Sequence, residues 1–427
     1  MTYPAGQPLK ILSDLNVQDV IVIGAGVIGI SAALALQADG RKVTVLDRQD
    51  NSPRASDMNA GAFAFADIMP LAAPGITRKA PKWLLDPLGP LAVPPAYAFK
   101  ILPWLVRFWR ASLPDRYQKS LAAQADLMKL SHGALERLIS DTSADELIRR
   151  NGQLQLYEGE REFQASLPGW ELRRKHGVNF KLLKSPDEIA DIQPGIGRRF
   201  SFAGFTPDWI NTGDPAAWLS HLTAAFRTRG GNLIEANATQ LRSTGDGVEI
   251  HAANGIHCAS QVIVAAGAWS HHLAKTLGDT IPLETERGYN TTLPATDFDL
   301  KTHLTFPGHG FVVTRINDGI RVGGAVELGG LKLPANYKRA EILLDKARSF
   351  LPELDKKTGH QWMGFRPSLP DSLPVIGPSS KDKRVIYAFG HGHLGLTQSA
   401  GTAELVRALS NKTQPPIDLA AYSPNRF

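Results

Sequence analysis

Gly24-Ala25-Gly26-Val27-Ile28-Gly29 places three glycines at G-x-G-x-x-G spacing. That spacing suits contact with a pyrophosphate. Gly24 permits a tight turn, Gly26 lets the backbone approach the phosphates, and Gly29 lets a helix pack close to the strand before it. A helix starting here presents unpaired N–H groups and a partial positive charge to the phosphates. Asp47 follows Gly29 by 18 residues, close to the ~20 at which an acid meets an adenosine ribose. An acid there also repels a 2′-phosphate. A second run of the same spacing is Gly390-His391-Gly392-His393-Leu394-Gly395. Too little chain follows it for a second nucleotide domain. It reads as a loop and helix start that close on the same ligand, against the plainer reading of an ordinary strand–helix turn. His391 and His393 invite the role of a base, against that of loop residues whose backbone meets the ligand. Between the two runs, ASDMNAG at 55–61 is a small polar stretch. Its place after a second strand lets it reach toward the far end of a bound dinucleotide.

The elements that must hold these residues follow from hydrophobic spacing. VQDVIVI (17–23) is an apolar, β-branched run of the kind found in buried parallel strands. ISAALALQAD (30–39) reads as a helix ended by Gly40, and KVTVL (42–46) as a second strand, which completes a βαβ unit. Residues 116–140 show helical spacing, and QLQLY (153–157) alternates like a half-exposed strand. Asp214 is an N-cap with Pro215 at the first helical position, so a helix is predicted to about Arg229. Strands are predicted at 232–236 and 261–265, the latter preceded by Cys258 and followed by the small-residue turn Ala266-Gly267-Ala268. GFVVTRI (310–316) and IRVGGAV (320–326) flank Asn317-Asp318-Gly319 and predict a hairpin. A strand at 384–389 and a helix at 397–410 return to α/β texture. The alternation implies two domains that interleave in sequence. Segments 17–66, 205–280 and 360–412 form the nucleotide-binding domain; 67–204 and 281–359 form a substrate-binding domain.

Composition removes other classes. The 427 residues carry 47 Lys+Arg and 41 Asp+Glu, a net charge of +6. No run of five basic residues occurs, so a nucleic-acid tail is not expected. The one cysteine, Cys258, excludes an intrachain disulfide, a zinc finger and a cysteine-held iron–sulfur cluster. It fits a reducing compartment, and no metal site is expected. Residues 1–18 lack the basic-then-apolar order of a signal peptide. No window offers ~20 uninterrupted apolar residues, so a cytoplasmic protein is expected. The Leu-, Pro-, Trp- and Phe-rich segment 69–109 is too broken by proline and charge to span a bilayer. It reads as a lid or packed excursion, or more sharply as a surface on the inner-membrane interface.

Taken together, GAGVIG (24–29), ASDMNAG (55–61), NTGDP (211–215), VIVAAGAWS (262–270), ERGY (286–289), WMGFRPSLPDSLPVIG (362–377) and GHGHLGLTQSAG (390–401) resemble the flavin-dependent D-amino-acid oxidase superfamily. The chain looks most like its bacterial D-amino-acid dehydrogenases, which include D-hydroxyproline dehydrogenases. The resemblance implies an α/β fold: a Rossmann-like FAD-binding domain with an interleaved α+β substrate domain containing an antiparallel sheet. It implies FAD held by Gly24, Gly26, Val27, Ile28 and Gly29 at the pyrophosphate, with Asp47 and Arg48 near the ribose and adenine. Ser56, Asn59, Ala60 and Gly61 match the stretch approaching the isoalloxazine, Ala238 a backbone position at adenine, and Ala266 and Gly267 the turn beside the cofactor. Gly390, Gly392, His393, Leu394, Gly395, Leu396 and Thr397 match the loop along the flavin's pyrimidine side.

The family's substrate arginine maps to Arg366, whose guanidinium suits a carboxylate. Tyr289 is expected to offer a hydroxyl to the same carboxylate, and both are the catalytic candidates. Phe311 stands where some relatives carry a substrate-facing tyrosine. Trp362 reads as an aromatic wall or as core. Cys258 has no flavin-linking context and no histidine lies near 56–61, so the FAD is expected to be non-covalent. The expected reaction is oxidation of the α-C–N bond of a D-amino acid, proline-like in one version, with electrons passed to a quinone or other acceptor. A glycine, sarcosine or opine oxidase using oxygen, and a non-catalytic flavin-binding subunit, are the alternatives.

Overall fold

The apolar run after Val17 forms the Gln18–Ile23 strand, which lies at the centre of a parallel sheet. The computed structural model describes residues 17–48, 54–75, 91–295, 297–354 and 357–427. On one side of Gln18–Ile23 lie Val43–Asp47 and then Asn232–Glu235, both parallel to it. On the other lie Gly255–Val264 and then Val385–Phe389, again parallel. The strand order therefore reverses between Gln18–Ile23 and Gly255–Val264. In open parallel sheets, ligands bind beyond the carboxyl ends of the strands at such a switch point.

Helices cover this sheet because their apolar faces need it. Val20, Val22 and Val45 pack with Ile30 and Leu36 of the Val27–Gln37 helix, Trp218 and Phe226 of Pro215–Thr228, and Val406 of Gly395–Ser410. Ile30 is fully buried, so truncating it to alanine would cost about 2–5 kcal/mol. Asp214 caps its helix as expected, accepting from the Ala216 N–H at 2.9 Å. Gly255–Val264 is longer than its apolar half predicts. Its first residues pair antiparallel with Val248–Ala252, and Cys258, opposite Glu249, is inside the strand instead of before it. Half-buried alternation there hides a strand from a search for continuous apolar runs.

The second sheet runs His360–Ser368, Glu284–Leu293, Gly319–Leu328, Phe311–Ile316 and His303–Phe306, all antiparallel. It continues through Gln153–Tyr157, Phe202–Thr206 and Lys181–Leu183. The predicted hairpin forms, with Asn317 at φ 52 in its turn. One face of this sheet packs on the Lys338–Phe350 helix through Phe306, Phe311, Phe350 and Leu343. Two segments depart from the expected division of the chain. His360–Ser368 pairs with Glu284–Leu293 in the antiparallel sheet, and α/β texture resumes only at Val375. The Pro114–Thr142 helix places Leu135 and Ile139 in the core over the parallel sheet.

Candidate active site

The first glycine loop leaves the end of Gln18–Ile23 and opens the Val27–Gln37 helix, with Gly26 as N-cap. Gly24 has φ +110, and a Cβ on it would stand 2.4 Å from the Ala265 carbonyl oxygen. That places the loop directly against the end of the neighbouring strand at the switch point. A Cβ on Gly29 would lie 1.8 Å from the Gly24 oxygen, so the helix can pack this close only with glycine there. The Val27 N–H donates to Ser56 Oγ at 3.1 Å. The Ile28 and Gly29 amides of the first turn have no acceptor among the described residues. A bare backbone cradle with free amides at a helix N-terminus fits a pyrophosphate.

The other expected cofactor residues gather at the same end of the sheet. Asp47 closes its strand and forms an ion pair with Arg54, a partner not anticipated from the sequence. The Ala236 N–H donates to the Asp47 carbonyl at 2.6 Å, which brings the chain leading to Ala238 alongside. Ala238 and Ala266 pack on one cluster with Leu46 and Val264. Gly267 opens a turn whose Trp269 lies 3.7 Å beneath the Arg48 guanidinium. Gly390 to Gly395 lead from the Val385–Phe389 strand into Gly395–Ser410, where Leu396 is part of the core. Thr397 Oγ1 accepts from the Ala64 N–H at 2.9 Å, and Leu394 packs with Ala64 and Ala66. The His391 ring turns inward to Thr402 Oγ1 at 2.9 Å, and burial pushes its pKa down to about 3. His393 instead pairs with Asp67 at 3.2 Å.

The stretch 55–61 is held from both sides. Asn59 donates to the Ser56 carbonyl at 2.8 Å and accepts from the Gly61 N–H at 2.8 Å, which fixes the turn through Ala60. From the antiparallel sheet, Asn290 donates to the Met58 carbonyl at 2.8 Å and Arg321 to the Asn59 carbonyl at 2.5 Å. Burial pushes Arg321 down to about 10. Nothing in the sequence singled out Asn290 or Arg321. The strand of Arg321 was predicted as half of the hairpin, but not which face met this loop, and the strand of Asn290 was not predicted.

Strand register decides the substrate candidates. Arg366 lies opposite Glu286, Gly364 opposite Gly288, and Trp362 opposite Asn290. Residues two apart share a face, so these six form one surface, and the Asn290 bond to Met58 shows that it meets the 55–61 stretch. Gly288 leaves room for the Arg366 guanidinium to lie over it. Arg366 makes one hydrogen bond among the described residues, from Nη1 to the Ala325 carbonyl at 3.3 Å. Burial lowers its pKa, and the nearby Glu286 charge offsets part of that. Most of its N–H donors therefore remain for a ligand, in the fork that matches a carboxylate.

Tyr289 and Phe311 do not join this surface. Tyr289 is one residue out of phase with Gly288 and Asn290, so it points to the opposite face. Its hydroxyl is occupied, donating to Glu327 Oε1 at 3.1 Å and accepting from the Asn336 N–H at 3.1 Å. Arg287 completes this buried network, with Nη1 3.1 Å from Glu327 Oε1. Phe311 stacks on Phe306 at 4.6 Å within the core under the Lys338–Phe350 helix. Of the four expected substrate residues, Arg366 and Trp362 share this surface, and Tyr289 and Phe311 lie off it.

Comparison with known proteins gives a consistent picture. Residues 19–409 match the family model described as DAO, FAD dependent oxidoreductase. The chain is 36% identical over 416 residues to a D-amino-acid oxidase of Bradyrhizobium diazoefficiens, covering 96% of this chain and 98% of that protein. It is 30% identical over 417 residues to D-amino acid dehydrogenase 1 of Mesorhizobium japonicum, covering 96% and 99%. Its fold is similar to that of glycine oxidase from Geobacillus kaustophilus, with a TM-score of 0.77, 19% identity, and 96% and 98% of the two chains covered. L-proline dehydrogenase from P. horikoshii has a TM-score of 0.74 at 19% identity, covering 97% and 98%.

Proposed function

Because the chain belongs to the DAO family of FAD-dependent oxidoreductases, we propose that it oxidises the α-C–N bond of a D-amino acid. The observation that carries this reading is Arg366. Its guanidinium lies over Gly288, mostly unbonded among the described residues, on the sheet face that meets the 55–61 stretch. Two parallel hydrogen bonds from it to a substrate carboxylate would fix the α-carbon in one place. Trp362, on the same face, walls the side-chain end. Arg321 and Asn290 keep the 55–61 stretch in position, and the Val27 helix start holds the pyrophosphate. When bound, FAD supplies acceptance of a hydride from the α-carbon at its N5. From the neutral amine form of the substrate, positioning then does most of the protein's work, and neither His391 nor His393 is needed as a base.

The names of the relatives support D-amino acids as substrates. A panel of D-proline, 4-hydroxy-D-proline, D-alanine, D-arginine and sarcosine, added without oxygen, tests this through loss of the oxidised flavin spectrum. Bleaching by D-amino acids supports the reading. Bleaching by sarcosine alone, with peroxide formed in air, favours the glycine or sarcosine oxidase. No bleaching by any amine favours a non-catalytic flavin-binding subunit.

Electrons leave to a quinone or another acceptor in this reading. The observation that favours a membrane-side acceptor is the Ala98–Ala111 helix. Ile101 and Trp104 anchor it to the protein, while Phe99 is 92% exposed and Leu102, Val106 and Trp109 form an outward stripe with it. Lys100, Arg107 and Arg110 are exposed beside that stripe. Apolar and basic residues combined in this way suit an anionic bilayer surface. No helix among the described residues is long and apolar enough to cross a membrane. Residues 76–90 of the segment singled out from sequence lie outside the described residues. Co-sedimentation with anionic but not neutral vesicles, lost in a Phe99→Ser, Trp109→Ser variant, is the expected result.

A further inference from the structure

The Glu284–Leu293 strand carries a carboxylate oxygen that has no hydrogen-bond partner among the described residues. Glu286 is 5% exposed, and its Oε2 is buried with no hydrogen bond among the described residues. Ser368 and Gln124, also buried, each hold one more such atom, Ser368 Oγ and Gln124 Oε1. The Gln124 amide is oriented by its Nε2, which donates to the Asp67 carbonyl at 2.9 Å. Its oxygen is therefore an available acceptor. All three residues line one cavity, together with Met69, Gly392 and His393 of the second glycine loop. A buried carboxylate without a donor is costly, and each orphaned buried polar group calls for an explanation.

Arg366 does not satisfy Glu286. The two are opposite in register, but the guanidinium leans over Gly288 and bonds to the Ala325 carbonyl. Three buried oxygen atoms on residues that line one cavity suit a ligand that only donates. An ammonium is such a group, with three N–H donors, no acceptor and a positive charge. Beside a guanidinium suited to a carboxylate, this gives the charge pattern of a zwitterionic amino acid.

We propose that Glu286, with Ser368 and Gln124, is the subsite for the α-ammonium group of the substrate, while Arg366 takes its carboxylate. The proposal rests on the amino-acid reading above. It extends that reading to how the site tells an amino acid from a plain carboxylic acid of the same shape. A site built to pair a polar substrate group rejects the analogue that lacks it, because the site's own groups are then left unpaired.

Calorimetry on the FAD-loaded protein tests it with 2-aminoisobutyrate and pivalate. The two differ only by ammonium against methyl. Neither has an α-hydrogen, so binding is read without turnover. Wild type is expected to bind 2-aminoisobutyrate about tenfold or more tighter than pivalate. Glu286→Gln should lose about tenfold to a hundredfold in affinity for 2-aminoisobutyrate while pivalate binds as well or better. Ser368→Ala should show a smaller loss with the same selectivity, and it decides the matter if Glu286→Gln fails to hold flavin. Equal losses for both ligands, or no loss for 2-aminoisobutyrate, overturn the subsite and leave the amino-acid reading standing. A wild type that binds neither ligand overturns both.

Discussion

The guanidinium of Arg366 lies over the backbone of Gly288 on the neighbouring strand, so closely that a Cβ at residue 288 would stand 2.4 Å from its Nη2. Gly288→Ala must therefore push the guanidinium away from the place where a carboxylate would meet it. The expected outcome is a fall in kcat/KM of about tenfold to a hundredfold with flavin still bound, because a displaced clamp misplaces the α-carbon. Steady-state kinetics with a flavin-content measurement check this. Unchanged kcat/KM would mean that Arg366 does not hold the substrate.

Arg366 and His393 should separate cleanly. Arg366→Lys keeps the charge and loses the planar fork, and should cost about a hundredfold or more in kcat/KM. His393→Ala removes only a partly exposed pair with Asp67, so substantial turnover should remain. The reverse order would overturn the assignment.

Arg321 should act through the cofactor. It reaches from the antiparallel sheet to the Asn59 carbonyl and to Thr292 Oγ1, the latter at 2.8 Å. Arg321→Met keeps length but removes both bonds. Losing a charged donor to the 55–61 stretch should weaken flavin binding by about tenfold or more. Titration of the apoprotein with FAD measures it, and an unchanged Kd would contradict the clamp.

Buried His391 gives a pH signature. Burial lowers its pKa to about 3, so the folded state binds its proton less readily than the unfolded chain does. Its contribution is fully present above the ordinary histidine pKa of 6.5 and is lost as pH falls toward about 3. The buried His303 acts in the same direction. Each such group gives a slope of at most about 1.4 kcal/mol per pH unit. His391→Gln should therefore lose about 2 kcal/mol less stability than wild type between pH 7 and 5 in denaturant unfolding. Equal losses would show that His391 is not held neutral.

The dinucleotide end of the molecule was legible in sequence because its signals are local. Gly24, Gly29 and Asp47 act through backbone space and spacing along one βαβ unit. The helix starts at Asp214 and Gly395 likewise announce themselves by neighbouring residues. The candidate substrate face was legible only through Arg366 and Trp362. Its other members depend on the pairing of strands more than seventy residues apart, and a shift of one residue exchanges the two faces. Tyr289 sits beside Gly288 in sequence yet faces the Arg287–Glu327 network. Glu286, an acid in a β-rich run, reads as a solvated position until its burial is seen. Asn290 and Arg321 gain their meaning only where the two sheets meet.

The most direct test of the account is anaerobic reduction of the bound flavin by the best D-amino acid of the panel, compared between wild type and Arg366→Ala. The account predicts rapid bleaching in wild type and, at the same substrate concentration, bleaching slowed by about a hundredfold or more in the variant. Equal rates in the two proteins, or no bleaching of wild type by any amine, would contradict it.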